Sequence, residues 1–222
     1  MKLGVIAIDG PAGAGKSTVA RLVAKRLGYI YIDTGAMYRA VAWAVQSRQI
    51  SPADQVSIAN LTRDLAIKLY YINEQQRIAV DGQDITEEIR SPEISRMVSE
   101  VAQISAVRSA LLDLQRNMAR DGGVVMDGRD IGTHVLPNAD TKIFLTASID
   151  ERARRRWLEL QQKGFGADKE QLKQEIAQRD KMDSERLLAP LRQAPDAILI
   201  DTSAMTAEEA AQAIITVFEE RK

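Results

Sequence analysis

Apolar positions along the chain alternate between two rhythms. Five short runs, Leu3 to Ile8, Tyr29 to Ile32, Val124 to Met126, Lys142 to Leu145 and Ala197 to Ile200, read as buried strands. The longer stretches between them carry helical spacing. That alternation suits crossover helices and predicts an α/β fold, a five-stranded parallel sheet flanked by helices and wound in the right-handed sense. Ligands of such sheets bind at the carboxyl ends of the strands. The residues arriving there are Asp9 with Gly10, Asp33, Asp127 and Asp201, so most of the strands deliver an Asp to one edge.

Helix starts are marked by Ser51-Pro52 and Ser91-Pro92, and by capping-box spacing at Ser148 with Glu151, Asp168 with Gln171 and Thr206 with Glu209. One segment breaks the alternation. Ala66 to Ile72, Arg77 to Val80 and Gln83 to Ile85, with an Asp81-Gly82 turn before the last, predict a small antiparallel meander inserted in the larger domain.

The chain has 222 residues, 45% of them hydrophobic and 27% charged, enough for one large domain or a domain with an insert. Thirty basic against thirty-one acidic side chains leave a net charge of -1 and no global field for nucleic acid, so any anion site must be local. Without cysteine there is no disulfide framework and no thiolate metal site. The single histidine, His134, excludes imidazole-rich metal centres and, having no evident carboxylate partner, reads as structural. No stretch approaches the roughly 20 apolar residues of a membrane span, and Met1 leads straight into the first strand without signal-peptide architecture. A soluble, cytoplasmic protein with neither membrane nor nucleic-acid partner is expected. The even charge balance predicts a monomer.

Gly10-Pro11-Ala12-Gly13-Ala14-Gly15-Lys16-Ser17-Thr18 follows the first strand and precedes a predicted helix over Val19 to Leu27, the context a phosphate-binding loop requires. Backbone N–H groups can turn inward around phosphate oxygens there. The helix terminus adds partial positive charge and Lys16 a full one. Ser17 or Thr18 can hold magnesium. The Asn-Lys-x-Asp element of guanine-specific switches is absent. Asp33 through Arg39 follows the second strand and Asp127 through Thr133 the third, placing Arg39 and Arg129 at the same sheet edge as candidates to grip a second phosphate through paired hydrogen bonds. Arg179, Asp183 and Arg186, spaced by four and then three residues, share one face of a helix expected to begin near Asp168. Glu151 to Arg156 holds four arginines, of which Arg152, Arg155 and Arg156 fall on one helical side, and Gly164-Phe165-Gly166 suits a hinge. Met37 and Trp43 read as core.

These motifs resemble those of the nucleoside monophosphate kinases, and within them the bacterial cytidylate kinases, over nearly the whole chain. The resemblance rests on Asp9 through Thr18, Asp33 through Arg39, Asp127 through Gly132, the Arg179 to Arg186 region and the inserted meander. One departure is Lys-Ser-Thr where many relatives read Lys-Gly-Thr, which leaves the magnesium hydroxyl open between Ser17 and Thr18. The resemblance implies a P-loop nucleoside monophosphate kinase fold. Its core domain spans 1–34 and 107–222, its monophosphate-binding domain 35–106 with the meander at about 63–97, and its helical lid 149–166. It implies ATP as donor, CMP and dCMP as acceptors, and magnesium as cofactor. Gly10 through Thr18 would bind ATP. Ser99, Arg108 and Asp130 would surround the cytosine, Thr34 and Tyr38 would line the acceptor pocket, Asp183 would take the ribose hydroxyls, and Arg179 would support it. Lys16, Arg39, Arg129, Arg186 and the lid arginines Arg152, Arg155 and Arg156 would act on the phosphates, with Asp127 ordering hydrated magnesium.

Overall fold

The computed structural model describes residues 3–73 and 75–221. Its first elements are β1 (Val5–Asp9), α1 (Lys16–Leu27), β2 (Ile30–Asp33), α2 (Thr34–Ser47) and α3 (Gln55–Asp64). Then come β3 (Ile67–Ile72), β4 (Gln75–Val80), β5 (Gln83–Asp84), α4 (Pro92–Val101) and α5 (Ser105–Met118). The chain ends with β6 (Val124–Asp127), β7 (Thr141–Thr146), α6 (Ile149–Gln162), α7 (Lys169–Glu185), β8 (Ile198–Asp201) and α8 (Ala207–Glu220). Two compact units emerge, Met1–Tyr31 with Asp121–Lys222, and Ile32–Arg120.

The five expected runs form one sheet of order β2-β6-β1-β7-β8, in which β1 pairs in parallel with β6 and β7, and β7 with β8. β1 is buried beyond its first residue, which is why it reads as an unbroken apolar run rather than an alternating one. Ile6, Val125 and Ile143 from the strands pack with Val23 of α1 and Ile214 and Phe218 of α8 in the core of the first unit. Phe218 also meets Tyr29 edge to face, with ring centroids 5.9 Å apart.

The second unit has its own core, built from Met37, Val41 and Val45 of α2 with Ile58, Ile78, Ile94 and Val107. Its antiparallel sheet β3-β4-β5 is the expected meander. Asp81 and Gly82 both take positive φ, 50° and 85°, the conformation a tight Asp-Gly hairpin turn demands. The Asp84 carboxylate joins all three strands by accepting from Tyr70 of β3 and Arg77 of β4.

Several local signals resolved differently. Ser51-Pro52 starts no helix, because the Asp54 carboxylate accepts both the backbone N–H of Ser57 at 3.0 Å and its hydroxyl at 2.6 Å, and so caps α3 from Gln55. Ser51 accepts from the N–H of Ala53 inside a turn instead. Of the three capping-box spacings only Thr206 with Glu209 is reciprocal; Glu151 turns to Arg154 and Arg155, and Gln171 to Glu175. Helix α1 begins at Lys16, earlier than Val19, so the lysine belongs to its first turn. Residues 32–34 and 107–120, expected with the parallel sheet, fall in the second unit, and Val107 and Leu111 of α5 are buried in that unit's core. Among the described residues no helix is long and apolar enough to cross a membrane.

Candidate active site

The phosphate loop leaves β1 at Gly10, whose φ is 144° and where a Cβ would stand 1.9 Å from the Leu145 carbonyl oxygen. Only glycine lets the loop pass so close to β7. Lys16 is buried, and its ammonium donates to the Pro11 carbonyl at 2.7 Å, folded back across the loop that would hold phosphate. Burial, reinforced by the charges of Arg129 and Arg179 and opposed by Asp127 and Asp183, pushes the Lys16 pKa well below the ordinary lysine value.

Beside it the Ser17 hydroxyl donates to Oδ2 of Asp127 at 3.0 Å, and Tyr31 donates to Oδ1 at 2.8 Å. A hydroxyl and a carboxylate in contact at the carboxyl end of β6 form an oxygen donor set of the kind Mg²⁺ prefers. No cluster of three or more His, Cys, Asp or Glu suited to a metal exists among the described residues. Thr18 instead lines a neighbouring cleft.

Past β6 the chain carries a buried ionic network. Asp130 accepts from Arg186 at 3.1 Å, Arg186 stands 3.9 Å from Asp183, and Asp183 accepts from Arg129 at 3.0 Å. Burial alone would push Asp183 up. Arg129, Arg179 and Arg186 outweigh it and hold the carboxyl below its usual range. Arg186 corrects the expectation of a shared helical face: α7 ends at Glu185, and Arg186 is extended, with φ -61° and ψ 141°. Its guanidinium bonds the Ala189 carbonyl at 2.7 Å, and Leu191 donates back to the Asp183 carbonyl, so the chain leaves the helix to bring the two side chains together. His134 is half-buried in a π-helical turn, Ile131–Val135, directly after Asp130.

The other expected acceptor residues belong to the second unit. Asp33 caps α2 by accepting from Ala36 at 2.8 Å, while its second oxygen accepts from Arg39 at 2.9 Å. The Arg39 Nε is buried with no hydrogen-bond partner, an orphaned donor on a residue expected to meet phosphate. Thr34 is buried at the start of α2, and the buried Arg108 guanidinium lies 5.5 Å from the Tyr38 ring centroid in a cation–π contact. Ser99 stands half-buried on α4.

The arginines of α6 occupy three different settings. Arg152 is buried and donates to the carbonyls of Ala147 and Ala12 and to Asp180 at 2.6 Å, which ties α6 to both the phosphate loop and α7. Arg155 bonds Glu151 at 2.8 Å and the Thr202 carbonyl at 2.7 Å, and Arg156 pairs with Glu159. Sequence reasoning missed the cleft beside them. About 190 Å³ in volume, it is lined by Thr18 and Val19 of α1, by Arg155, and by Thr202, Met205 and Ala207 after β8. The carboxyl-end rule already pointed to the residues following Asp201.

The cytidylate kinase family model matches residues 6–220. The cytidylate kinase of Caldicellulosiruptor bescii is 52% identical over 213 residues, which is 96% of this chain and 94% of that protein. That of an Exiguobacterium species is 54% identical over 217 residues, covering 98% and 97%. Among solved structures, a shikimate kinase from Acinetobacter baumannii aligns at a TM-score of 0.52 with 14% identity, covering 99% of this chain and 95% of that one. A gluconokinase from Sinorhizobium meliloti aligns at 0.51 with 16% identity, covering 99% and 93%. These two share the fold alone. With half its residues in common with named relatives over nearly its full length, and with a phosphate loop set against an arginine–aspartate network, the chain belongs to the cytidylate kinase family, nucleoside monophosphate kinases that act as phosphotransferases.

Proposed function

We propose that the protein transfers the terminal phosphoryl group of ATP to CMP, and to dCMP, giving the diphosphate and ADP. The observation that carries this reading is the continuous network in the first unit, in which Asp130, Arg186, Asp183 and Arg129 link at the strand edge that also carries the loop lysine. Such a set offers carboxylates to an amine and to sugar hydroxyls, and guanidinium groups to phosphate.

The attacking atom is a phosphate oxygen of the acceptor. With a second pKa of about 6 it is already ionised at pH 7 and needs no general base. The protein's task is alignment and charge neutralisation. Lys16, swinging from Pro11, meets the donor phosphates; Arg39, Arg129 and Arg186 hold the acceptor phosphate. Arg155 and Arg156 supply lid charge, while Arg152 anchors the base of the lid to the loop. Ser17 and Asp127 are the residues that would hold Mg²⁺, which supplies charge neutralisation between phosphate oxygens when bound. Asp183 takes the ribose hydroxyls, supported by Arg179. Asp130 accepts from the exocyclic amine of cytosine while Arg108 and Ser99 donate to its acceptor edge, and Thr34 and Tyr38 line the pocket. The cleft between α1 and the segment after β8 receives the donor base.

The test is an acceptor panel with labelled ATP and magnesium. Label transfer to CMP in preference to UMP, AMP, shikimate and gluconate is the expected result. Transfer to a non-nucleotide acceptor alone, or hydrolysis without transfer, would overturn the reading.

A further inference from the structure

Asp9 ends β1 one residue before the loop, and none of the roles above uses it. Its side chain is buried, yet both oxygens are engaged: Oδ1 accepts from the N–H of Ile131 and Oδ2 from that of Gly132, each at 2.7 Å. These N–H groups open the π-helical turn Ile131–Val135, whose N-cap is Asp130 and whose own side chains do not cap it. A helical start leaves its first N–H groups without partners inside the turn, and a carboxylate there satisfies them with charge of the favourable sign. The partner comes from another strand, 122 residues away in sequence.

The packing around this contact is close. A Cβ on Gly132 would lie 3.4 Å from Asp9 Oδ2 and 3.2 Å from Cδ of Lys142. The charged groups facing Asp9 are Lys16 of α1, Asp130 after β6 and Lys142 of β7, whose ammonium is paired with Asp196 at 2.8 Å. The Asp9 carboxyl is raised to about 7 on balance: burial is the largest cause and Asp130 adds to it, while the two N–H bonds and Lys16 pull the other way. An amide at this position would offer one acceptor oxygen and turn a donor toward the other N–H, so only the carboxylate serves both.

We propose that Asp9 is a positioning residue for acceptor choice: by holding the N–H groups of Ile131 and Gly132 it fixes Asp130 against the phosphate loop, and so sets how well cytosine is told from uracil. This rests on the base-reading role of Asp130 given above. The structural chain is short: carboxylate, two backbone bonds, then the preceding side chain, which Arg186 holds from the other side.

The experiment measures kcat and KM for CMP, UMP and ATP in the wild type, Asp9→Asn, Asp130→Ala, the double variant and Gly132→Ala. Asp9→Asn is expected to raise KM for CMP about tenfold with KM for ATP within about twofold, the loss of one charge-assisted bond, and to narrow the CMP/UMP ratio. The double variant should discriminate no less than Asp130→Ala alone. Gly132→Ala, which presses a methyl group between Lys142 and Asp9, should reproduce the same selective rise and decides the matter if Asp9→Asn does not fold. Equal rises for both nucleotides, or unchanged constants, would overturn the assignment. Should Asp130→Ala keep the wild-type ratio, the reading of Asp130 fails. In that case the role of Asp9 in base choice falls with it, whereas a ratio lost in Asp130→Ala but kept in Asp9→Asn overturns the role of Asp9 alone.

Discussion

Arg186 donates to Asp130 across 3.1 Å, with both side chains nearly sealed from solvent at 4% and 6% exposure. A carboxylate offers about four lone-pair positions, so this bond is compatible with a second one from an exocyclic amine. Uracil would present a carbonyl where cytosine presents that amine, leaving two acceptors opposed, at a cost of about 1 to 3 kcal/mol. The specificity constant for CMP is therefore expected to exceed that for UMP by roughly ten- to several hundredfold. Asp130→Asn, which can turn a donor toward uracil while still facing Arg186, should compress that ratio mainly by losing CMP. Comparing kcat/KM for both acceptors in both proteins checks this.

Lys16 should take up a proton when donor nucleotide binds. Its pKa is depressed in the empty loop, and bound phosphates would raise it, so binding draws in a proton at pH values between the depressed and the raised pKa. Proton uptake on binding means that donor affinity falls as pH rises through that window. Calorimetric titration over a pH series above 8, in buffers of different ionisation enthalpy, reads the uptake, since phosphate with its pKa of about 6 is already ionised there. Lys16→Met should abolish the uptake, keep the fold and lower turnover by several orders of magnitude.

Asp183 lies between Arg129 at 3.0 Å and Arg186 at 3.9 Å, which makes the alanine variant a poor probe of sugar recognition. Removing the charge and the side chain together strips the partly buried Arg129 of its carboxylate partner and leaves Arg186 with Asp130 alone of its two carboxylates, at a cost of about 3 to 5 kcal/mol. Asp183→Asn keeps the volume and an acceptor. It is expected to raise KM for CMP strongly with KM for ATP nearly unchanged, while the alanine variant also loses thermal stability. Steady-state kinetics and thermal melts of the pair separate the two effects.

Arg152 anchors the first half of α6, and the consequence for lid motion is graded. Hydrogen exchange in residues 149–155 should be slow already in the empty protein, because Arg152 is bonded to Ala12, Ala147 and Asp180. Added protection on binding both nucleotides should concentrate in residues 156–166, where Arg156 pairs only along its own helix and Phe165 is exposed. Uniform protection of the whole segment would contradict this division.

Strand positions were legible within a residue or two because a buried parallel sheet writes continuous apolar runs into the chain, as in Val124–Asp127. The loop was legible because its glycines and lysine have fixed spacing. What stayed hidden depended on competition between neighbours. Ser51-Pro52 lost its helix to Asp54, and Glu151 gave up its capping partner for two arginines, outcomes set by which acceptor lies nearest once the chain is folded. Arg186 was assigned to a helical face by spacing, but the helix stops one residue earlier to let it reach Asp130. The run of arginines from Arg152 carried no mark to separate a buried tether from a surface charge; only the distant Asp180 makes that distinction. Asp9 reads from sequence as an acid at the ligand edge and the head of the loop motif, but its contacts do not, since its partners are backbone groups with no signature in sequence.

The position of β1 in the sheet fixes the order in which the protein can assemble during synthesis. It is made before the second unit, yet its partners Val124 to Asp127 and Thr141 to Phe144 emerge only after the whole of that unit. The second unit is a continuous stretch with its own core and can close while the ribosome is still translating. The first must keep an apolar strand and its phosphate loop waiting for more than half of the chain. Pairings of such long sequence separation form slowly and leave strand edges exposed meanwhile. Truncated chains ending before β7 are therefore the ones in which Val5–Asp9 stays available to pair with other molecules.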